Sequence, residues 1–426
     1  MTGGRLAAVA VVAAALVVHP GVAAAAPPPG ACADPAPASP TVTEVPWAQR
    51  TLDTKTVHEH GTGAGVLVAV VDSGVDADHP QLPPGKVQPG QDFFLVGDLP
   101  GSFDCVSHGT GVASIIAAAA MPGVGFTGLA PDATILPVRI SESDMTDGAT
   151  QAIDPEVLAR GIWYAADHGA RVLNLSVAGG LDNHYVRDAV RYAVEKDVVV
   201  VAAAGNAQQG TAPGPASYPA GYDGVLGVGA VDMTGTRLPS SQIGPQVDLV
   251  APGAGVLSAA RAGGHQYRDG TSFAAPFVSA TAALVRAAWP ELSAPEVVQR
   301  ILATASPAPG GRDSAAYGAG LVDPYRALTD GLVSTGPAAV PAVRRPVPDP
   351  AQLRLAEWWD DSTSTAWTIA ILTGAVVALG AATALVLVRV RRGGWQPRRT
   401  VLPAAEPPRD DLPDEMFVVP PPPVER

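Results

Sequence analysis

Val66-Leu67-Val68-Ala69-Val70-Val71-Asp72-Ser73-Gly74 is an unbroken apolar run that ends in a carboxylate and a turn. A strand with one wet face alternates apolar and polar residues, and this one does not. The pattern suits a central parallel strand covered on both faces. The segments downstream repeat the idea. Apolar strands are expected at Ala133–Ile140, Arg171–Val177, Val198–Ala203, Val225–Val231 and Val247–Val250. Helical patterns lie between them at Asp154–Ala166 and Asp182–Lys196, with Asp182 as candidate N-cap. A last helix at Ala294–Ala303 starts with Ser293, Pro295 and Glu296, which is capping-box chemistry. Strands alternating with helices across short loops predict an α/β fold. Its centre is a doubly wound, mostly parallel sheet flanked by helices.

Ligands of such sheets gather at the C-terminal ends of the strands, and polar residues there carry the most information. Asp72 closes the opening run, where it is either a functional carboxylate or a turn former before Gly74. Ala203-Ala204-Gly205-Asn206 closes another strand. Ser107-His108-Gly109-Thr110-Gly111 leads into an apolar helix expected to end near Met121-Pro122. Gly109 keeps the backbone beside His108 unobstructed. A histidine before a helix is either a structural hydrogen-bonder or a base. Gly270-Thr271-Ser272-Phe273-Ala274-Ala275-Pro276 places a serine at the start of a small-residue helix running to about Ala288. Free N–H groups and the positive dipole end favour negative charge there, which suits a nucleophile; an ordinary N-cap serine would look the same.

Taken together the four positions have a chemistry. A serine hydroxyl needs a base to take its proton. Histidine titrates near neutrality and can return that proton to a leaving amine. A carboxylate fixes the imidazole tautomer. The Asn206 amide with the Ser272 N–H can stabilise an oxyanion. Composition is consistent with this class. A net charge of −13 argues against a nucleic-acid binder. No C-x-x-C or H-E-x-x-H motif occurs, so no metal site and no cofactor is expected.

The ends of the chain differ from its middle. Residues 1–26 read as a secretory signal: Arg5, an apolar stretch from Leu6 to Val18, then Ala24-Ala25-Ala26. An uncleaved N-terminal anchor is the competing reading. A Pro-rich arm follows at 27–46, running extended over a surface. The folded domain covers 47–330, and a Pro-rich linker covers 331–366. Residues 367–388 are uncharged and mostly apolar, long enough for one transmembrane helix. Arg389, Arg391, Arg392, Arg398 and Arg399 follow, so the tail at 389–426 is expected in the cytoplasm and the folded domain outside. That tail is Pro-rich and acidic and is expected to be disordered. The only cysteines are Cys32 and Cys105; in an exported chain they form one disulfide, which would staple the arm to the main domain.

Asp72-Ser73-Gly74, His108-Gly109-Thr110 and Gly270-Thr271-Ser272-Phe273-Ala274-Ala275-Pro276 resemble the three signature motifs of the subtilisin-like serine proteases. Ala203-Ala204-Gly205-Asn206 resembles their oxyanion segment, and the likeness spans about Trp47 to Asp330. The resemblance implies Asp72, His108 and Ser272 as catalytic, Asn206 in the oxyanion hole, and Ser176, Ala203, Ala204 and Gly205 beside the substrate. It implies a polypeptide substrate that adds as a strand beside Leu173–Ala178, and a structural role for His79. Gly111 departs from the pattern, because many subtilases have a second histidine there. The short arm carrying Cys32, the Asp104-Cys105 pair and the C-terminal span resemble the mycosins, the membrane-anchored subtilases of type VII (ESX) secretion systems. That likeness implies a cell-membrane peptidase that processes secreted proteins, with type VII membrane components and the lipid bilayer as partners. It leaves open a structural part in the secretion complex with dispensable proteolysis, or a housekeeping surface subtilase. The long insertion and the second cysteine pair of many mycosins are missing.

Overall fold

The computed structural model describes residues 27–95, 98–142, 153–312, 314–331, 371–375, 378–389 and 391. The expected signal at 1–26, most of the linker and the tail beyond Arg391 lie outside the described residues. By contacts the chain divides into Met1–Ser334 and Thr335–Arg426.

In chain order the first unit begins with α1 (Trp47–Thr51), α2 (Thr54–His60), β1 (Leu67–Asp72), β2 (Gln91–Asp92), α3 (His108–Ala117) and β3 (Thr134–Arg139). There follow α4 (Pro155–Asp167), β4 (Val172–Leu175), α5 (His184–Glu195), β5 (Val199–Ala203), β6 (Val225–Val231) and β7 (Leu249–Pro252). The unit ends with β8 (Val256–Ala259), β9 (His265–Arg268), α6 (Thr271–Ala288), α7 (Ala294–Thr304) and α8 (Pro324–Thr329). The main sheet has the order β2-β3-β1-β4-β5-β6-β7, and every pairing in it is parallel.

The opening run becomes β1, and its lack of alternation has the expected cause. Val68 and Val70 enter the core beneath α3 and α6, whereas Ala69 and Val71 enter the core beneath α4 and α5. β5 splits the same way, with Val199, Val201 and Ala203 on one side and Val200 and Ala202 on the other. Both faces are dry, so neither can be polar. β3 and β4 lie on opposite sides of β1. The chain therefore reverses its winding at β1, and the crevice opens at the C-terminal end that carries Asp72.

α6 is buried around its whole circumference from Thr271 to Arg286. Its uniform small and apolar surface follows from that position. Pro276 lies inside it and cannot donate to the carbonyl of Ser272, four residues back. The Ser176 hydroxyl donates to that carbonyl instead (2.7 Å), so the proline leaves no orphan. At α7 the Glu296 carboxylate accepts from the N–H (2.8 Å) and hydroxyl (2.6 Å) of Ser293, as the capping sequence predicts.

Three expectations are corrected. The N-cap of α5 is Asn183, not Asp182: the Asn183 amide oxygen accepts from Tyr185 N–H (2.9 Å), while Asp182 pairs with Arg187 (2.8 Å). α3 stops at Ala117 rather than near Met121. The returning chain closes it there, as Gly128, Leu129 and Ala130 donate to the carbonyls of Ala118, Ile115 and Ile116. β7 starts at Leu249, because Val247 is held in a turn by the carbonyl of Gly244 (3.1 Å). The antiparallel β8–β9 hairpin and the α1–α2 pair have no counterpart among the expected elements.

Candidate active site

Asp72 is the last residue of β1 and His108 the first of α3, and both side chains are fully buried. The Nδ1 of His108 lies 2.7 Å from Asp72 Oδ1. That oxygen also accepts from Ser73 N–H (2.7 Å), which holds the carboxylate still. The approach of α3 to β1 depends on Gly109. A Cβ there would stand 2.1 Å from the Gly74 carbonyl and 3.1 Å from the Asp72 side chain. Gly111, one departure from the motif, has a local reason. A Cβ there would meet the Ser258 hydroxyl of β8 at 2.8 Å, so the hairpin takes the room a histidine would need.

Ser272 opens α6 and is 5% exposed. Its hydroxyl donates to the Ser176 carbonyl at 3.1 Å. Phe273, the next residue, packs edge-on against the His108 ring at 5.0 Å between centroids. This contact brings the N-termini of α3 and α6 together. Asn206 follows β5 and is exposed. Its Oδ1 accepts from Thr271 N–H (2.9 Å) and from the Thr271 hydroxyl (3.1 Å). The sequence-marked residues Asp72, His108, Ser272 and Asn206 thus sit on converging strand and helix ends.

The residues expected beside the substrate behave differently from one another. The Ser176 side chain is turned inward: it accepts from Asn174 Nδ2 (2.9 Å) and donates to the Ser272 carbonyl. Ser176 as a whole is buried, and its carbonyl accepts from the Ser272 hydroxyl. Ala203, Ala204 and Gly205 are buried. Gly205 faces Gln242 and the Ser217 hydroxyl, and Tyr218 exchanges two 2.8 Å backbone bonds with Gly179. Ser217 and Gln242 are residues that the sequence reading missed. Nothing in their local sequence distinguishes them from loop residues.

His79 is 3% exposed and sits in a buried cluster. Its ring meets the Gly264 carbonyl (3.2 Å) and accepts from Gln81 N–H (3.2 Å), which is a structural role. Cys32 and Cys105 form a disulfide with Cα atoms 5.5 Å apart, three residues before His108. Among the described residues no cluster of His, Cys, Asp or Glu could hold a metal ion.

The doubly wound parallel sheet is the architecture of the subtilisin-like class, and Asp72, His108 and Ser272 lie at strand and helix ends along its C-terminal edge. The model of the subtilase family (peptidase S8) matches residues 63–320, and the chain belongs to that family. It is 36% identical to mycosin-1 of Mycobacterium tuberculosis over 367 residues, covering 74% of this chain and 80% of the relative. It is 39% identical to thermitase of Thermoactinomyces vulgaris over 223 residues, covering 52% of this chain and 75% of that one. The solved structure of the MycP3 protease from the type VII (ESX-3) secretion system is similar, with a TM-score of 0.61 and 36% identity. The match covers 72% of this chain and 97% of that one. The protein is thus a mycosin-like serine protease.

Proposed function

We propose that this chain is a membrane-anchored serine endopeptidase that works outside the cytoplasm beside a type VII secretion system and cuts polypeptides delivered there. Asp72, His108 and Ser272 act as the triad, and Asn206 serves the oxyanion. The observation that carries this reading is the buried 2.7 Å contact between Asp72 and His108, next to a serine at the start of a buried helix. Asp72 leaves His108 with its proton on Nδ1, so Nε2 faces the nucleophile as a base. An entering peptide pairs with the main chain after β4 and displaces the Ser272 hydroxyl from the Ser176 carbonyl toward His108. The proton then passes from Ser272 to His108 and on to the leaving amine. The Asn206 Nδ2 and the Ser272 N–H stabilise the oxyanion.

Anchoring is supported by the helix Ile371–Arg389, whose 19 residues are apolar enough to cross a membrane by length and composition. At 1.5 Å per residue it spans about 28 Å. The similarity to the MycP3 protease from the type VII (ESX-3) secretion system supports the type VII setting.

The test is active-site labelling of the purified full chain. A fluorophosphonate probe is expected to label the parent and to leave Ser272→Ala unlabelled. A folded parent that takes up no probe would sink the proposal.

A further inference from the structure

The proposed mechanism makes no use of Asp104, although this carboxylate lies at the centre of the loops that carry Asp72 and His108. Asp104 is 1% exposed. Its Oδ1 accepts from the Ser73 hydroxyl (3.1 Å), Val106 N–H (2.9 Å) and Ser107 N–H (3.1 Å). Its Oδ2 accepts from Thr110 N–H (2.9 Å) and the Thr110 hydroxyl (2.6 Å).

These donors flank the Asp72–His108 contact on both sides. Ser73 directs its N–H to Asp72, gives its hydroxyl proton to Asp104, and accepts from Gly109 N–H at 2.9 Å. One serine therefore couples the residue after Asp72 to the residue after His108. On the other flank stands Ser107, in the left-handed region at φ 70°. A non-glycine residue keeps that conformation only where its surroundings over-determine it. The Ser107 N–H is bound by Asp104 and its hydroxyl accepts from Arg261 N–H (3.0 Å). Thr110 completes the ring, since its hydroxyl also accepts from Asp76 N–H (3.0 Å). Asp104 further supplies the acceptor that the first turn of α3 lacks, because Ser107 as N-cap makes no side-chain cap bond.

We propose that Asp104 is a positioning residue for catalysis. It touches neither substrate nor reacting atoms. It fixes the Asp72–His108 hydrogen bond through Ser73, Ser107 and Thr110. The chemistry demands an acceptor on both oxygens. An asparagine of the same shape presents an NH2 group either to Thr110 N–H or to the N–H groups of Val106 and Ser107. Burial pushes the Asp104 carboxyl up, and the nearby charge of Asp72 adds to this, while donors from Thr110 and Val106 pull it down. The net direction is upward, and the donors offset the burial only in part. This inference rests on the triad reading given above.

The test uses the full chain in detergent and the fluorophosphonate probe, with labelling followed against probe concentration. Asp104→Asn is expected to lower the maximal labelling rate at least about 10-fold, because sub-ångström displacement of a base is costly. The half-saturating concentration should stay within about twofold. In proton NMR the far-downfield signal of the His108 Nδ1 proton should shift or disappear. Thr110→Val, which removes one donor to Asp104 and the acceptor of Asp76 N–H, should show a smaller rate loss, about threefold. If Asp104→Asn does not fold, Ser73→Ala removes the bridging hydroxyl and is read by the same two measures. Labelling at the parental rate with an unchanged downfield signal overturns the positioning role. A parent that is not labelled at all overturns the triad reading instead, so the two failures are distinguishable.

Discussion

Asn206 is oriented by its neighbour. Thr271 N–H can only donate, so the atom facing it must be the amide oxygen, and the NH2 group points the other way. This gives a prediction at the scale of one side chain. Asn206→Ala should lower kcat about 10²- to 10³-fold with little change in KM, a magnitude carried over from the oxyanion asparagine of subtilisin, a family relative. Steady-state kinetics on a fluorogenic peptide amide would check it, and a KM rise with unchanged kcat would count against it. Asp72, His108, Ser272 and Asn206 were legible because a strand end or helix start frames each of them, and their chemistry makes sense only together. Asp104, Ser217 and Gln242 were not. Ser217 and Gln242 are polar loop residues brought to Gly205 from elsewhere in the chain, and the ring of donors around Asp104 closes only when Ser73 arrives from the end of β1. Ser176 was marked by its place beside the expected substrate strand, and the inward use of its hydroxyl was not legible. Its hydroxyl serves the carbonyl that Pro276 frees, a need visible only once α6 has been set against β4.

Among the elements, the parallel strands were readable because burial on two faces writes itself as an unbroken apolar run. The β8–β9 hairpin was not readable, since β9 is His265-Gln266-Tyr267-Arg268 and takes its order from what it packs on. His265 shows how. Its Nδ1 accepts from Val42 N–H (3.0 Å), and its Nε2 lies 2.7 Å from Gln81 Oε1, an acceptor. The ring is therefore neutral with its proton on Nε2. The hairpin and the arm at 27–46 are joined through it, together with Ser39 N–H to the Gly263 carbonyl (3.0 Å) and His265 N–H to the Pro40 carbonyl (3.0 Å). Burial, with His79 nearby, lowers the His265 pKa from 6.5 to about 4. Burial also lowers that of His79, against the pull of Asp76. The unfolded chain then binds more protons than the folded one between these values. Stability from the neutral His265 ring is complete above about pH 6.5 and is lost as the pH falls toward about 4, and His79 acts in the same direction. The protection factor of the Val42 amide, its exchange corrected for the intrinsic pH dependence, should fall across that window ahead of those of the β1 amides. In His265→Gln the pH dependence of that protection should flatten, and a parent whose Val42 protection factor is unchanged from pH 7 to about 4 would contradict the assignment.

At the scale of the whole molecule, two ties act on the folded unit from outside its core. The Cys32–Cys105 disulfide spans 73 residues of sequence and fastens the arm beside the His108 loop. Cross-links of this kind are worth about 2–4 kcal/mol. The pairing was expected from the count of cysteines alone, whereas the path of the arm was not. That path is set by backbone bonds such as Ala36 N–H to the Cys105 carbonyl (2.8 Å), and by the Trp47 indole N–H to the Ala254 carbonyl (3.0 Å). The second is the proposed anchor, the helix Ile371–Arg389, which is long and apolar enough to cross a membrane. Among the described residues, the first unit closes its own cores with buried residues from Ala48 to Leu328, and none of them comes from beyond that point. A chain ending at Gly331 should therefore fold and keep its site. It should react with the fluorophosphonate probe at the parental rate and appear in the soluble fraction. The full chain should stay with the membrane through a high-salt wash, because apolar insertion is insensitive to screening. Were the shortened chain also to remain with the membrane, the anchor would lie in residues 1–26, as an uncleaved leader, and the C-terminal helix would lose the role assigned to it.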